Sequence, residues 1–187
     1  MISFGIWIRR LQRPTPDWQA GLPQETRPLT KISFQDPQTI RQILTQMRRI
    51  AVVGISANEA RPSYFVGYYL KRMGFDLIPV NPRYEEVLGI PCYPNLSAIP
   101  EPPEVVDVFR RPDDVGGIVD EAISVGAKAV WLQFGVVNRK EALRAQNAGL
   151  SVVMDRCMKI EHGRYKGSLQ WAGMRTGVIT ARRLMRG

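Results

Sequence analysis

The sequence contains few of the residues that would support a metal centre or a network of disulfides. One histidine, His162, and two cysteines, Cys92 and Cys157, occur among its 187 residues. The cysteines lie far apart and have no metal-ligand spacing, and two cysteines do not make a disulfide framework in a chain of this size. We therefore predict no metal site, and we expect the protein to work in a reducing cytoplasm.

Long hydrophobic runs are also missing. The apolar stretches, such as IAVVGI at 50–55, are much shorter than the ~20 residues that a membrane-spanning helix requires. Near the start of the chain, a brief apolar patch precedes two arginines, which is the reverse of the order in a secretory signal. These features predict no transmembrane segment and no export.

The net charge of +9 suggests a protein that binds nucleic acid, until the distribution of the charge along the chain is considered. Residues 50–160 carry 12 basic and 13 acidic side chains, so the excess of positive charge comes from the two ends. A nucleic-acid-binding domain normally has a basic face of its own. We therefore expect no nucleic acid on the central domain, although basic ends that contact RNA or an anionic membrane form a third class of hypothesis.

The hydrophobic pattern from residue 36 onward alternates between short apolar runs and amphipathic segments. After a short helix that begins at Asp36-Pro37, it predicts five strands, at 49–55, 75–82, 104–110, 128–135 and 150–155. Helices are predicted between them at 63–74, with Ser63 as its cap, and at 113–127 and 138–149. Residues 1–34 are interpreted as a flexible basic extension, 35–163 as the domain, and 164–187 as a basic tail or short helix.

This alternation indicates an α/β fold: a single Rossmann-like, doubly wound, parallel five-stranded sheet. We predict the strand order 3-2-1-4-5. A ligand would then bind outside the carboxyl ends of the strands, at the switch point between predicted strands 1 and 4.

The loop after the first strand lacks two of the three glycines of a dinucleotide fingerprint. Gly54 would allow the backbone to approach a pyrophosphate, Ser56 adds a hydroxyl, and Arg61 adds a positive charge. Ser63 would present the first amides of the following helix to the same group. The loop therefore fits a pyrophosphate, but not through the usual NAD motif.

The end of the second strand lacks the carboxylate that an NAD-binding domain places there to hold the ribose hydroxyls. The chain has Asn81, Pro82 and Arg83 instead, and Arg83 would attract a phosphate on the ribose. The residues therefore fit a nucleotide with both a pyrophosphate and a ribose phosphate. NADP and coenzyme A (CoA) both answer that description.

Several separated motifs resemble those of the small CoA-binding proteins, whose Rossmann domain is similar to the CoA-binding domain of the succinyl-CoA synthetase α subunit. The motifs are IAVVGISANEARPSYFVGYYLKRMGFDLIPVNP, VLGIPCYPNLSAIP, VVDVFRRPDDV, AVWLQFGVVN and AGLSVVMDRCMKIEH. Together they cover roughly residues 36–163. The first 35 and the last 24 residues lie outside the resemblance.

The resemblance implies a CoA site with three parts. The pyrophosphate would contact the first loop, the adenosine side would meet the end of the second strand, and the pantetheine arm would follow the ends of the third and fourth strands. The implied residues are, in that order, Gly54, Ser56, Arg61 and Ser63; Asn81, Pro82 and Arg83; and Phe109, Arg110, Arg111, Gln133 and Gly135.

No catalytic constellation emerges from the sequence. Cys157 and His162 lie five residues apart after a strand, a spacing that guarantees no hydrogen bond between them. We therefore predict non-catalytic binding of CoA or acyl-CoA by a sensor, carrier or accessory module. An NADP-dependent reductase or redox sensor is the alternative. The sequence indicates no particular protein partner and is compatible with an oligomer.

Overall fold

The computed structural model describes residues 34–166, and the predictions for residues 1–33 and 167–187 lie outside this range. The strands are β1 Arg49–Val53, β2 Asp76–Val80, β3 Glu86–Val87, β4 Ile90–Pro91, β5 Val105–Val108, β6 Ala129–Leu132 and β7 Ser151–Met154. The helices are α1 Pro37–Gln46, α2 Pro62–Arg72, α3 Val115–Ser124, α4 Arg139–Asn147 and α5 Met158–Tyr165. Short 3₁₀ turns occupy Leu96–Ala98 and Pro112–Asp114.

The α/β fold with a five-stranded parallel sheet is confirmed. Its strands are β2, β1, β5, β6 and β7, in that spatial order, and β3 and β4 form a separate antiparallel hairpin. All five predicted strands and the four predicted helices are present, whereas the hairpin and α5 were not predicted. No helix within residues 34–166 is long and apolar enough to cross a membrane.

The predicted strand order 3-2-1-4-5 is wrong. In the numbering of the predicted strands, the observed order is 2-1-3-4-5, because β5 pairs with β1 on the side opposite β2. The Glu104 carboxylate, one residue before β5, accepts hydrogen bonds from the backbone N–H groups of Arg48 at 2.7 Å and Arg49 at 3.2 Å. These bonds hold the start of β5 beside β1, and the switch point lies between β1 and β5.

The sheet is covered on both faces, so its strands are apolar on both sides. One core cluster joins the sheet to α1, α2 and α5, and the other joins it to α3 and α4. In β6 the side chains alternate between the two clusters: Trp131 packs in the first and Leu132 in the second, and both are fully buried. The polar side chains that could bind a ligand are therefore expected mainly where the strands end.

Candidate ligand cleft at the sheet switch point

A cleft of about 690 Å³ lies at the carboxyl ends of β1, β2, β5 and β6. Nine of the twelve residues predicted from the sequence line it: Gly54, Ser56, Arg61, Ser63, Asn81, Arg83, Phe109, Arg110 and Gln133. The other lining residues were not predicted as site residues: Pro62, Val66, Tyr84, Phe134, Val136 and Cys157. The chain segments that sequence reasoning selected therefore meet at one place.

Gly54 brings the first loop into close contact with the end of β5. Its φ is +85°, in the left-handed region, and its N–H donates to the Val80 carbonyl at 2.8 Å. A Cβ atom at this position would lie 2.5 Å from the Phe109 carbonyl oxygen. Only glycine combines this conformation with this approach, so Gly54 is required by the backbone at the switch point itself.

The loop between Ser56 and Ser63 is held by its own side chains. The Ser63 Oγ accepts a hydrogen bond from the Ser56 N–H at 3.1 Å, and the Ser56 Oγ accepts one from the Asn58 N–H, also at 3.1 Å. The prediction that Ser63 caps α2 is wrong. The helix begins at Pro62 with Arg61 as the capping residue, and the Ser63 hydroxyl reaches back to the loop instead of the helix end.

The start of α2 lies at the cleft and is electropositive. Pro62 has no N–H, and the N–H groups of Ser63 and Tyr64 fall in the first turn, where no carbonyl of the helix can accept them. The helix dipole adds a partial positive charge at the same end. The amide groups and the Arg61 side chain therefore stand together beside the cleft, an arrangement suited to an anion.

Asn81 connects the ends of the first two strands. Its side chain is buried, and its Nδ2 donates to the Ile55 carbonyl at 2.7 Å while its Oδ1 accepts from the Arg83 N–H at 3.1 Å. The side chain thus fixes the loop that carries Arg83. Pro82 does not line the cleft; it lines a neighbouring cavity of about 330 Å³.

Three guanidinium groups line the cleft, and no carboxylate does among the described residues. Arg61 and Arg83 form no ion pair within residues 34–166, whereas the Arg110 Nε lies 3.8 Å from the Asp114 carboxylate. Arg111 also pairs with Asp114, at 3.3 Å, and its exposed side chain lies outside the cleft. The hydrogen bond from Arg111, the charge of Arg111 and then the charge of Arg110 lower the pKa of Asp114.

Gln133 lies at the bottom of the cleft and contacts a carboxyl group that the sequence analysis missed. Its Nε2 lies 2.8 Å and 3.1 Å from the two oxygens of Asp107, in the middle of the sheet. Asp107 is fully buried, and burial raises its pKa to about 8. Gly135, predicted beside Gln133, is not part of the lining, since it turns away at a φ of +78° and donates its N–H to Asp155.

Cys157 and His162 do not act as a pair. Cys157 lines the cleft, and burial raises the pKa of its thiol. His162 is buried behind α2, where its Nδ1 lies 2.9 Å from the Tyr69 hydroxyl and its ring packs edge-on against Phe75. Burial also lowers the pKa of His162. Within the described residues no group of three or more potential metal ligands occurs.

The fold and the cleft define a class: a doubly wound α/β domain with an arginine-lined cleft at its switch point. The family follows from comparison with known proteins. Residues 48–163 match the family model described as a CoA binding domain, and the chain belongs to this family. The resemblance derived from the sequence motifs is therefore confirmed.

Three relatives illustrate the range of the family. The chain is 37% identical over 123 residues to the uncharacterized protein YneT of Bacillus subtilis, covering 66% of this chain and 91% of YneT. A solved structure of a hypothetical protein from Pyrococcus horikoshii is 44% identical, with a TM-score of 0.69, and the match covers 78% of this chain and all of that one.

The third relative is much larger. The ADP-forming acetate–CoA ligase I of Archaeoglobus fulgidus is 29% identical over 122 residues, which cover 58% of this chain and 17% of the ligase. The matched part of this chain therefore corresponds to a small part of the ligase.

Proposed function

We propose that this chain binds CoA or an acyl-CoA in the cleft without transforming it, as a sensor, carrier or accessory module in the cytoplasm. The charge of the cleft is the observation that supports this most. Arg61, Arg83 and Arg110 line it, the described lining residues include no carboxylate, and of these three arginines only Arg110 has an ion pair within residues 34–166, with Asp114. A ligand with several phosphates satisfies such a site. The match to the CoA-binding-domain family supports CoA as this ligand.

In this proposal the pyrophosphate binds at the start of α2. Arg61 and the first-turn N–H groups of Ser63 and Tyr64 supply one full positive charge and two oriented donors. Gly54 also lines the cleft, and its lack of a side chain lets the loop lie against the backbone of Phe109. Backbone amides at a helix start are well suited to a pyrophosphate because they need no reorganisation when it binds.

Arg83 is assigned to the ribose phosphate. The Asn81 side chain holds its loop, and the Arg83 side chain forms no ion pair within residues 34–166, so its charge is available to a ligand. An acidic residue in this region would repel the phosphate, and the described cleft lining contains none. The assignment therefore predicts that the site binds CoA more tightly than dephospho-CoA, which lacks that phosphate.

The pantetheine arm is assigned to the apolar lining residues of the cleft. Val66, Phe109, Phe134 and Val136 are its apolar lining residues, and Gln133 is a polar one. The cleft volume of about 690 Å³ lies within the range of ~300–1,000 Å³ that is common for small-molecule sites. Apolar side chains with a polar group such as Gln133 among them suit a flexible arm that carries isolated amides.

The second half of the proposal, that the protein does not transform its ligand, is supported less directly than the binding itself. A cysteine nucleophile needs a lowered thiol pKa and a neighbouring base. Burial raises the pKa of the Cys157 thiol, and His162 is hydrogen-bonded to Tyr69 instead. Both observations favour binding over covalent catalysis.

Titration calorimetry with CoA, dephospho-CoA, NADP and NAD in one buffer tests the proposal. We expect micromolar binding of CoA, weaker binding of dephospho-CoA and none of NAD. NADP is the informative competitor, because Arg83 would also suit the phosphate on its ribose. Saturable binding of NADP without binding of CoA would overturn the proposal in favour of a reductase.

A further inference from the structure

The turn between β6 and α4 contributes two apolar residues to the cleft. Phe134 and Val136 line the cleft, and Gly135 lies between them at a φ of +78°. Val136 is buried in one of the core clusters, whereas Phe134 is half-buried and belongs to neither core cluster of the described residues. Core packing therefore fixes Val136 but does not fix Phe134.

A hydrogen bond ties the tip of this turn to a neighbouring strand end. The Gly135 N–H donates to the Asp155 Oδ1 at 2.9 Å. Gly135 itself is exposed, and a Cβ atom there would meet nothing within 4 Å. A second hydrogen bond, from the Val136 N–H to the Gln133 carbonyl at 2.9 Å, stays within the turn. The Asp155 carboxylate therefore holds the backbone next to Phe134 against the end of β7.

Asp155 is a well-anchored partner for this bond. It follows β7 directly, and hydrogen bonds fix the residue on each of its sides. On one side, the Met154 N–H donates to the Phe34 carbonyl at 2.9 Å. On the other, the Arg156 carbonyl accepts a hydrogen bond from the Trp131 Nε1 at 2.7 Å. The acceptor of the Gly135 bond thus stands between two fixed neighbours.

The backbone conformation of Asp155 is itself uncommon. Its φ is +58°, in the left-handed region that residues other than glycine rarely adopt. Within residues 34–166, Leu88 is the one other non-glycine residue with a positive φ. Aspartate tolerates this conformation better than most residues, because its short polar side chain can hydrogen-bond nearby backbone. Such a conformation persists where the surrounding structure enforces it, and it often marks a functional position.

We propose that Asp155 is a positioning residue: through the Gly135 N–H it holds the turn so that Phe134 forms part of the surface that the pantetheine arm contacts. This inference rests on the proposed function, because the arm belongs to CoA. A turn that is held before the ligand arrives loses less entropy on binding. Adenosine 3′-phosphate 5′-diphosphate, which is CoA without the arm, should not depend on the turn.

A pair of variants separates the hydrogen bond from the backbone conformation. Asp155→Gly adopts the positive φ freely but has no acceptor, whereas Asp155→Asn tolerates this φ and keeps an oxygen that can accept from the Gly135 N–H. In calorimetry we expect CoA affinity to fall roughly threefold to tenfold in Asp155→Gly, the factor for one neutral hydrogen bond, and about twofold or less in Asp155→Asn. Equal losses of CoA affinity in the two variants would overturn the inference.

The ligand without the arm is the control for damage to the whole cleft. The affinity for adenosine 3′-phosphate 5′-diphosphate should be the same in the wild type, Asp155→Gly and Asp155→Asn. If Asp155→Gly weakens this ligand as much as it weakens CoA, the loss does not come from the pantetheine arm, and the inference is wrong.

Phe134→Ala completes a double-mutant cycle. Because Asp155 acts through Phe134, the variant with both Asp155→Gly and Phe134→Ala should bind CoA no more weakly than Phe134→Ala alone. Additive losses would contradict the proposed route. An unchanged CoA affinity in Phe134→Ala would contradict it as well, since Phe134 would then make no contact with the arm.

Amide hydrogen exchange examines the turn without ligand. The Gly135 N–H should exchange slowly in the wild type and in Asp155→Asn and faster in Asp155→Gly, which lacks the acceptor. Equal exchange rates in all three proteins would overturn the inference even if CoA binds. If the wild type binds CoA and Asp155→Gly binds it equally well, the inference fails and the proposed function stands. If the wild type binds neither ligand, the proposed function fails and the inference fails with it.

Discussion

Gly54 and Phe109 come so close that a methyl group on Gly54 would lie 2.5 Å from the Phe109 carbonyl oxygen. The two residues follow neighbouring parallel strands, β1 and β5, on the two sides of the switch point. Their contact decides how far the first loop is from the end of β5. The width of the proposed CoA cleft therefore depends on a position without a side chain.

Gly54→Ala should destabilise the protein by ~2–5 kcal/mol, because it adds an unfavourable positive φ to a clash with backbone. Gly74→Ala is the matched control: its φ is +82°, but a Cβ atom there would meet nothing within 4 Å. Urea denaturation of both variants separates the conformational cost from the clash. Equal losses of unfolding free energy would show that the contact with Phe109 is unimportant.

The number of strands could be predicted from the sequence, but their order could not be predicted from apolar runs alone. All five strands are buried on both faces, so their composition does not distinguish an edge from a centre. Pro79 carries the signal that was overlooked. A proline inside a strand cannot donate to a neighbour and belongs at a sheet edge, which is where β2 lies. The predicted order placed that strand inside the sheet.

The candidate site was predictable where backbone geometry determines it and less so where a tertiary contact does. The glycine of the first loop and the arginine after β2 are visible in the sequence pattern. Asp107 was hidden, because a single acidic residue in an apolar strand does not indicate that it will contact the glutamine that follows β6. Ser63 was assigned to the wrong partner for a similar reason, since its hydroxyl bonds across the loop to Ser56.

Arg83→Gln should weaken CoA binding about tenfold and dephospho-CoA binding about twofold or less, since a hydrogen bond to a charged group contributes ~1.5–3 kcal/mol. The phosphate that Arg83 is assigned to bind is absent from dephospho-CoA. Calorimetry with both ligands measures the difference. Arg111→Gln, which removes an exposed arginine outside the cleft, should leave both affinities unchanged. Equal losses for the two ligands in Arg83→Gln would refute the assignment.

Arg61→Gln should weaken CoA and dephospho-CoA by the same factor, roughly tenfold, because both ligands contain the pyrophosphate. This equal loss is the opposite of the selectivity expected for Arg83. Raising the salt concentration should reduce the effect of the substitution, since partly exposed charges are screened. A loss confined to CoA would move Arg61 from the pyrophosphate to the ribose phosphate.

Glu104→Gln should destabilise the protein by about 1–2 kcal/mol at neutral pH, because the carboxylate accepts hydrogen bonds from two backbone N–H groups of the β1 region. The hydrogen bond from the Arg48 N–H has the largest effect on the pKa of Glu104. Together with the Lys128 ammonium and the Arg49 N–H, it lowers this pKa to about 2. The contribution is therefore present above pH 4.5 and lost as the pH falls toward 2.

Urea titrations at pH 7 and pH 3 should show a smaller difference between variant and wild type at the lower pH. Glu101→Gln, which removes only an exposed ion pair with Arg49, is the control and should cost less.

Asp107 should have the opposite effect on stability as the pH changes. Burial raises its pKa from 3.8 to about 8 in the folded protein, so the folded state keeps a proton that the unfolded state releases. The unfolding free energy of the wild type should therefore fall as the pH rises from about 4 to about 8, with a slope of at most about 1.4 kcal/mol per pH unit from this group. Asp107→Asn has no proton to lose, so its stability relative to the wild type should increase across the same interval and level off above pH 8.

Urea titrations at pH 5, 7 and 9 measure this difference. A constant difference would mean that Asp107 is ionised throughout, and that its hydrogen bonds from Gln133 outweigh the cost of burying its charge.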